Sequence, residues 1–581
     1  MWRIALVSLC LVHSATAAEV KLSDKVADIK FRDIHYLTRS LEDLPGKAVV
    51  FVFMDTGCPV AARYVPELKK LETEFRDKGV RFVALFPGAE DSIAALASFA
   101  VKHDIAFPCG KDYDAACATA LGVTRTPEVA VLDSDHKLRY RGRIDDQYYP
   151  GGTRPKPTRQ DLREAIDAAL AGKQVAQPIT VAEGCPITQP TKAMADKTLT
   201  FAEHVAPILH KHCQECHRPN TVAPFSLVDY TQVNARAKAI ADVVRDGSMP
   251  PWYGAPEHQE FNNRRGLSSE EKSTLLAWLK SDRPVGDLTK VLAPLPAAPE
   301  WRIGTPDMVL KAQEHELPDS GDVAYKYAIL PFVFTHDTWV DGVEIKPDNR
   351  RVLHHCNMAF AKIGEKFSVQ NFITGAVPGG EALTLPAGVA VKIPAGAILI
   401  LQIHYITTGK PEKCRISVGF RYPRVDVQQQ LKLSYVATTR YAIPPGAPAH
   451  RVAASRTLPC DAIGVGMFAH MHVRGRDMTF LAHTPDGKTE DLLTVPNYSF
   501  AWQHAYRWEF GAKKLPKGTK LECVAHYDNS PFNPFNPDPK ATVLDGDQTA
   551  QEMLNGFIFY VDANEQLKLK IDPKTGGEAK N

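Results

Sequence analysis

The hydrophobic periodicity of this chain changes character along its length, so no single core can hold all of it. From about residue 24 to 175, continuous apolar runs alternate with amphipathic ones. KAVVFVFMD, VRFVALFP and PEVAVLD predict buried strands, while VPELKKLETEFRDKG and DLREAIDAALAG predict helices, which is an α/β pattern. From about 197 to 286 strand signals stop, and ARAKAIADVVRDG and SSEEKSTLLAWLKSD flank a Pro-rich loop in a small all-α segment. VLAPLPAAPEW at 291–301 reads as a linker. From about 302 to 570, short alternating runs broken by Pro, Gly and Asp predict two all-β sandwiches in series, over 302–428 and 432–565. A length of 581 residues fits such a multidomain reading. At the start, Arg3, the apolar run Ile4–Val12 and the small-residue site Ala15-Thr16-Ala17 have the pattern of a secretory signal over 1–18, so a periplasmic or secreted protein is expected. No later run reaches the ~18 apolar residues of a membrane span. Lys+Arg 69 against Asp+Glu 67 gives no basic field for nucleic acid or an anionic surface. Chemistry must come from local clusters, and 11 Cys, 20 His and 10 Met supply candidates.

His212-Cys213-Gln214-Glu215-Cys216-His217 contains C-x-x-C-H, in which two thiols add to haem vinyl groups and the adjacent His ligates iron. The second CxxC that a zinc site would want is missing. Met249, in the Pro-bracketed GSMPPW loop, is either a packing residue or the second axial ligand. This segment resembles the mono-haem cytochrome c domains, including a closing helix that carries Trp278. The resemblance implies a cytochrome c-like all-α domain over 197–286, with one covalently bound haem c on Cys213, Cys216, His217 and Met249 acting as a one-electron carrier.

Four fragments of the β half collect further ligands: Leu353-His354-His355-Cys356, Leu401-Gln402-Ile403-His404-Tyr405, Ala469-His470-Met471-His472 and Gln551-Glu552-Met553. His-x-His on a strand places both imidazoles on one face, because side chains repeat every second residue. Adjacent His354 and His355 would diverge on a regular strand, so a shared metal there requires a bulge or a strand end. Five imidazoles and one thioether suit two coppers.

The order HH, LQ-x-HY, H-x-H and EM before an aromatic strand resembles the copper type II, ascorbate-dependent monooxygenases, which include peptidylglycine α-hydroxylating and dopamine β-monooxygenases. The resemblance covers 302–565 and implies two jelly-roll-like β-sandwiches, each holding one copper ion across a solvent cleft. It implies that His354, His355 and His404 form an electron-transferring copper site and that His470, His472 and Met553 form the catalytic, oxygen-activating one. The implied enzyme hydroxylates a C–H bond of a small-molecule substrate with O2, taking electrons from a reductant or periplasmic electron carrier through the fused haem. His526, which also precedes a Tyr, competes with His404 as third ligand; Cys356 is a further, less suitable candidate. His450, His483 and His504 read as structural or solvated. The substrate-gripping Arg and Tyr of the peptide-amidating members are replaced here by Phe468 and Phe557, which implies a less charged substrate or a different pose.

In the N-terminal stretch, MDTGCPVAARYVPEL puts Cys58 between a buried strand and a helix start, where amide groups stabilise a thiolate. With Thr126-Pro127 before EVAVLD, this resembles thioredoxin and peroxiredoxin-like domains, over 24–175. The second Cys of CxxC is absent, so Cys58 is a possible redox thiol whose partner is open: Cys109 or Cys117 could resolve it or bridge each other, and Cys185 lies in the following tail. In the β half, pairing within each sandwich suggests Cys356–Cys414 and Cys460–Cys523. Two rival functions stand beside the monooxygenase: a non-catalytic copper-handling or redox-sensing protein, and a thiol peroxidase using Cys58.

Overall fold

The computed structural model describes residues 21–149, 152–188, 199–221 and 223–579; the expected signal segment 1–18 lies outside them. The chain divides into two compact units: 21–92 with 105–188, and 93–104 with 199–579 among the described residues.

The first unit is built on a seven-stranded sheet in the order Thr38–Arg39, Phe31–Asp33, Cys109–Lys111, Val80–Phe86, Ala48–Phe53, Glu128–Asp133, Leu138–Gly142. Ala48–Phe53 and Val80–Phe86 are parallel neighbours, and every residue of the first is buried. An unbroken apolar run is what a strand covered on both faces needs. The helix Pro59–Arg76 starts with Cys58 at its cap and Pro59 in its first turn, where no amide is required, and buries Ala61, Val65, Leu68, Leu71 and Phe75. The helix Asp161–Leu170 buries Leu162, Ala165 and Ile166. The unit continues past residue 175, because the tail returns to it. Arg141 N donates to Pro178 O (3.0 Å) and Thr180 N to Arg141 O (3.1 Å). Gly142 makes this approach possible: its φ is +148°, and a Cβ there would meet Thr180 Oγ1 at 2.1 Å.

From residue 199 on, the second unit has helices Ala206–His212, Tyr230–Asn234, Ala237–Asp246 and Ser269–Lys280, packed around Trp278, Leu275, Phe201, Leu209 and Val244. Ser268 and Glu271 form a capping box that starts the last helix. The loop between the last two helices lies along the β half: Ala255 N donates to Thr494 O (2.8 Å), Asn262 N donates to Arg507 O (2.9 Å), and Phe261 bridges to Trp508.

The rest is β-rich, two pairs of stacked antiparallel sheets. In the first pair, the sheet of Met308–Lys311, Ile416–Arg421, Gly342–Pro347 and Leu383–Thr384 faces that of Lys326–Ile329, Ala397–Tyr405, Leu353–Lys362 and Phe372–Ala376. Val343, Ile345, Val418 and Phe420 meet Met358, Leu399, Leu401 and Ile403 between them. In the second pair, the sheet holding Lys432–Ala437, Asn555–Asp562, Ala462–His470 and Ala505–Arg507 faces that of His450–Thr457, Lys520–Tyr527, Gly475–His483 and Thr489–Val495. The sheets press together at Gly556, where a Cβ would lie 2.2 Å from Cys523 Sγ. Residues after 565 return to the first pair: Leu569 bridges Val427, and Ile571 is buried with Trp339 and Ala390.

All ten cysteines among the described residues are thiols. Cys356 and Cys414 are buried in the same core. The expected Cys460–Cys523 bridge is not possible in this fold. Cys523 points at Gly556, whereas Cys460 sits beside Asp562 at the other end of the strand Asn555–Asp562, about 20 Å away at ~3.3 Å per residue.

Candidate functional site

Strands Leu353–Lys362 and Ala397–Tyr405 are antiparallel neighbours, and their register shifts between Leu353 and His355, leaving His354 as the bulged residue. The bulge turns His354 toward the same point as His355, as a shared metal requires. His404 lies directly opposite His355. One nitrogen from each of the three rings falls within 4.8 Å of the others, and His354 Nδ1 is 3.0 Å from His355 Nδ1. Burial lowers the pKa of all three, His355 farthest and His404 to about 4, so the rings are neutral lone-pair donors at neutral pH. His404 Nδ1 is buried with no hydrogen-bond partner. An unpaired buried nitrogen beside two converging ones is costly without a cation, and three neutral imidazoles suit copper or zinc. His526, the competing third ligand, is elsewhere, with Nδ1 2.6 Å from Asp477 Oδ1. Cys356 points into the hydrophobic core.

His470 ends the strand Ala462–His470, and its ring lies 5.3 Å from that of His472. His470 Nδ1 is 2.7 Å from Gln503 Oε1 and His472 Nδ1 is 3.0 Å from the Gln551 carbonyl. Each acceptor fixes a tautomer with Nδ1–H, which leaves both Nε2 atoms as donors. Met553 lies on the segment that wraps this pair. Its neighbour Glu552 accepts the amides of His472 (2.8 Å) and Arg474 (2.6 Å), and Asn555, which faces His470 across the sheet, places Nδ2 3.3 Å from Met553 Sδ. A thioether added to two imidazoles favours Cu(I) over zinc.

A single ring links the two sets. Phe500 lies 5.2 Å from His354 and 5.8 Å from His472, and beside the burial that suppresses protonation of His355, a proton on a neighbouring histidine of either set would disfavour it further. A half-buried phenyl group thus stands between the two histidine sets. Phe500, Gln503 and Glu552 were not identified as functional from the sequence. Glu552 is fully buried, and desolvation outweighs its hydrogen bonds to push its carboxyl up to about 8. Phe468 and Phe557 face each other across strands with rings 5.7 Å apart, and Phe557 also packs on Phe372 and Tyr435. Of the histidines read as structural, His483 pairs with Glu522 (2.7 Å) and His450 is half-buried on a strand. His504 is instead buried between the rings of Tyr253 and Trp502, and its Nε2 has no partner.

In the helical segment, Cys216 N and His217 N both donate to Cys213 O (3.1 and 2.8 Å), which puts the two thiols and the imidazole on one turn. His217 Nδ1 is 3.2 Å from the Phe225 carbonyl and the ring packs on Phe225. That contact leaves Nε2 free for iron, and burial holds the ring neutral. These residues fit a covalently held haem. Met249 lies in the loop after the helix Ala237–Asp246, its amide on Val243 O (3.1 Å).

The thiol site is formed differently. Cys58 Sγ donates to Thr126 O at 3.1 Å, beside a cis Thr126–Pro127 bond. The tail strand Cys185–Pro186 pairs with Arg125–Thr126, so Cys185 stands opposite Thr126 and its thiol hydrogen-bonds Cys58. Burial opposes ionisation of Cys58, but the Cys185 thiol and the Ala61 and Val60 amides outweigh it and lower its pKa. The same hydrogen bond raises that of Cys185. Cys109 and Cys117 are engaged away from Cys58, with Phe107 O and Lys30 O.

Residues 21–149 match the Redoxin family. This part of the chain is a redoxin, thioredoxin-like α/β domain. Among curated proteins, the thiol-disulfide oxidoreductase ResA of Bacillus thuringiensis is 29% identical over 98 residues, covering 17% of this chain and 56% of that protein. The thioredoxin-like protein YneN of Bacillus subtilis is 27% identical over 101 residues, covering 17% and 59%. The chain thus spans just over half the length of these relatives. A hypothetical protein from Sinorhizobium meliloti, whose structure is solved, is 26% identical, covering 30% of this chain and 97% of that one with a TM-score of 0.28.

Proposed function

We propose that the β half is a copper-dependent monooxygenase centre, supplied with electrons through a haem on the helical segment, in an exported oxidoreductase. The observation that carries this reading is the convergence of His354, His355 and His404 on one point, with His470 and His472 on the other side of Phe500. Copper at the two sets would supply electron storage and O2 activation for inserting one oxygen atom into a C–H bond, the other leaving as water. Haem c on Cys213, Cys216 and His217 would supply one-electron carriage.

The chain's own residues prepare these sites. Gln503 and the Gln551 carbonyl hold His470 and His472 in one tautomer, Glu552 fixes the backbone between them, and Phe500 packs between the two sets. Phe468, Phe557 and Tyr435, on the sheet that carries His470, form an aromatic cluster with Phe372 of the other pair of sheets, which favours a weakly charged substrate. Trp252 and Phe261 of the helical segment pack on Tyr506, one strand from His470, so the segment that would carry the haem is attached to the sheet that holds the proposed oxygen-activating set.

Metal analysis with O2 uptake tests this reading. Two coppers and one haem per chain are expected, with reductant-dependent O2 consumption that His472→Ala abolishes while the haem spectrum persists. One copper and no O2 consumption with any reductant would replace it with the copper-handling or sensing reading.

A second reading concerns the thioredoxin-like domain, which we propose carries out thiol-disulfide exchange at Cys58. It is favoured by the Redoxin match and by the thiolate-stabilising contacts of Cys58. A thiol peroxidase would instead consume peroxide in a way that Cys58→Ser removes.

A further inference from the structure

Cys58 occupies the position of a reactive thiol, yet it is only 2% exposed, whereas Cys185 is half-buried and nearer to solvent. The tail is held over Cys58 by several contacts. Cys185 is in register with Thr126, Ile187 N donates to Thr124 O (3.0 Å), and Arg125 Nη1 donates to Gly184 O (2.9 Å). At Gly184 any side chain would collide, since a Cβ would lie 2.1 Å from Thr126 O and 3.1 Å from Pro127 Cδ. The tail strand can close on the proline loop because residue 184 is glycine.

We propose that Cys185 and Cys58 are a redox-active pair in which Cys185 is the sulfur that meets an external disulfide and Cys58 is the one that closes the ring. This rests on the reading of Cys58 as a redox thiol. In the reduced pair, Cys58 is the better-stabilised thiolate and Cys185 the thiol. Accessibility decides which sulfur an outside molecule reaches, and pKa decides which sulfur leaves more readily. Cys185 gives up its proton and attacks a disulfide R–S–S–R, forming Cys185–S–S–R while R–S⁻ leaves and takes a proton. The Cys58 thiolate then attacks Cys185 Sγ, forming the Cys58–Cys185 bond and releasing the second R–S⁻. Two electrons pass from the cysteine pair to one disulfide, which becomes two thiols. In reverse, an external thiolate attacks the exposed Cys185 sulfur and Cys58 leaves as the stabilised thiolate.

The experiment treats the reduced full-length chain with glutathione disulfide and maps Cys58 and Cys185 by peptide mass spectrometry. Wild type is expected to form the Cys58–Cys185 disulfide, Cys58→Ser to retain glutathione on Cys185, and Cys185→Ser to react at least tenfold more slowly at Cys58. Brief alkylation of reduced wild type, which needs no substitution, should label Cys185 before Cys58. Glutathione trapped on Cys58 at the wild-type rate in Cys185→Ser, or Cys58 alkylated first, would overturn the assignment of roles and leave Cys58 as a redox thiol. Failure of Cys58 to oxidise in wild type would overturn both that reading and this proposal.

Discussion

The thiol site and the histidine site differ in how their parts are brought together. The six proposed copper ligands lie on or next to regular strands, and strand geometry aligns the first three by opposite register for His355 and His404 and one bulge for His354, whereas His470 ends a strand and His472 lies two residues beyond it. The thiol pair joins a helix cap to a tail strand that a glycine allows to approach. The comparison teaches that a likeness to known proteins and a readable site need not coincide. The Redoxin match ends at residue 149, within the first unit and before Cys185, so the cysteine pairing has no local motif and reaches beyond the match, while the ligand pattern stands in the β-rich remainder, also outside it.

The largest effect that would sharpen this contrast is at the second histidine set. His472→Ala or Met553→Ala should lower O2 consumption by more than about 100-fold, since loss of a ligand should exceed the 10–100-fold seen for the partners behind ligands. Visible haem absorption and Cys58 oxidation should be unchanged; a parallel loss of thiol reactivity would break the comparison.

What could be read in advance follows from the same physics. Buried strands such as Ala48–Phe53 and the amphipathic helix Asp161–Leu170 announce themselves by periodicity, and His-x-His announces a shared face. The position of Cys185 opposite Thr126 could not be read, because a two-residue strand has no periodicity. Nor could Phe500 or Gln503, which reach the histidines from a stretch without regular secondary structure. Glu552 stood in the motif, but only the fold shows its carboxylate on two amides. The Cys460–Cys523 expectation failed because membership of one sandwich says nothing about which end of a strand a residue occupies.

Next in size, Glu552→Ala leaves the His472 and Arg474 amides without their buried acceptor. It should cost about 1–3 kcal/mol of stability in the β half, measured by urea unfolding, with the thioredoxin-like unit unfolding at its original midpoint. Gln503→Ala frees the His470 ring and should weaken copper binding about 10–100-fold at that set alone, measured by competition with a copper chelator.

The smallest effect is a pH shift at the thiol site. The Cys185 thiol is the strongest influence lowering the pKa of Cys58, so the thiolate persists to lower pH than in an ordinary cysteine. Cys185→Ala should move the midpoint of its ultraviolet thiolate absorbance to higher pH, while any copper-dependent O2 uptake keeps its pH profile. A midpoint that stays put would mean the helix-start amides alone stabilise the thiolate.

The most direct measurement of the central claim is copper stoichiometry of the purified, copper-loaded chain beside its His404→Ala and His470→Ala variants, with O2 uptake recorded on the same samples. Two coppers in wild type, one in each variant and O2 uptake lost in both would bear out two cooperating sites. Wild-type protein that binds no copper, or variants that keep both the metal and the uptake, would contradict it.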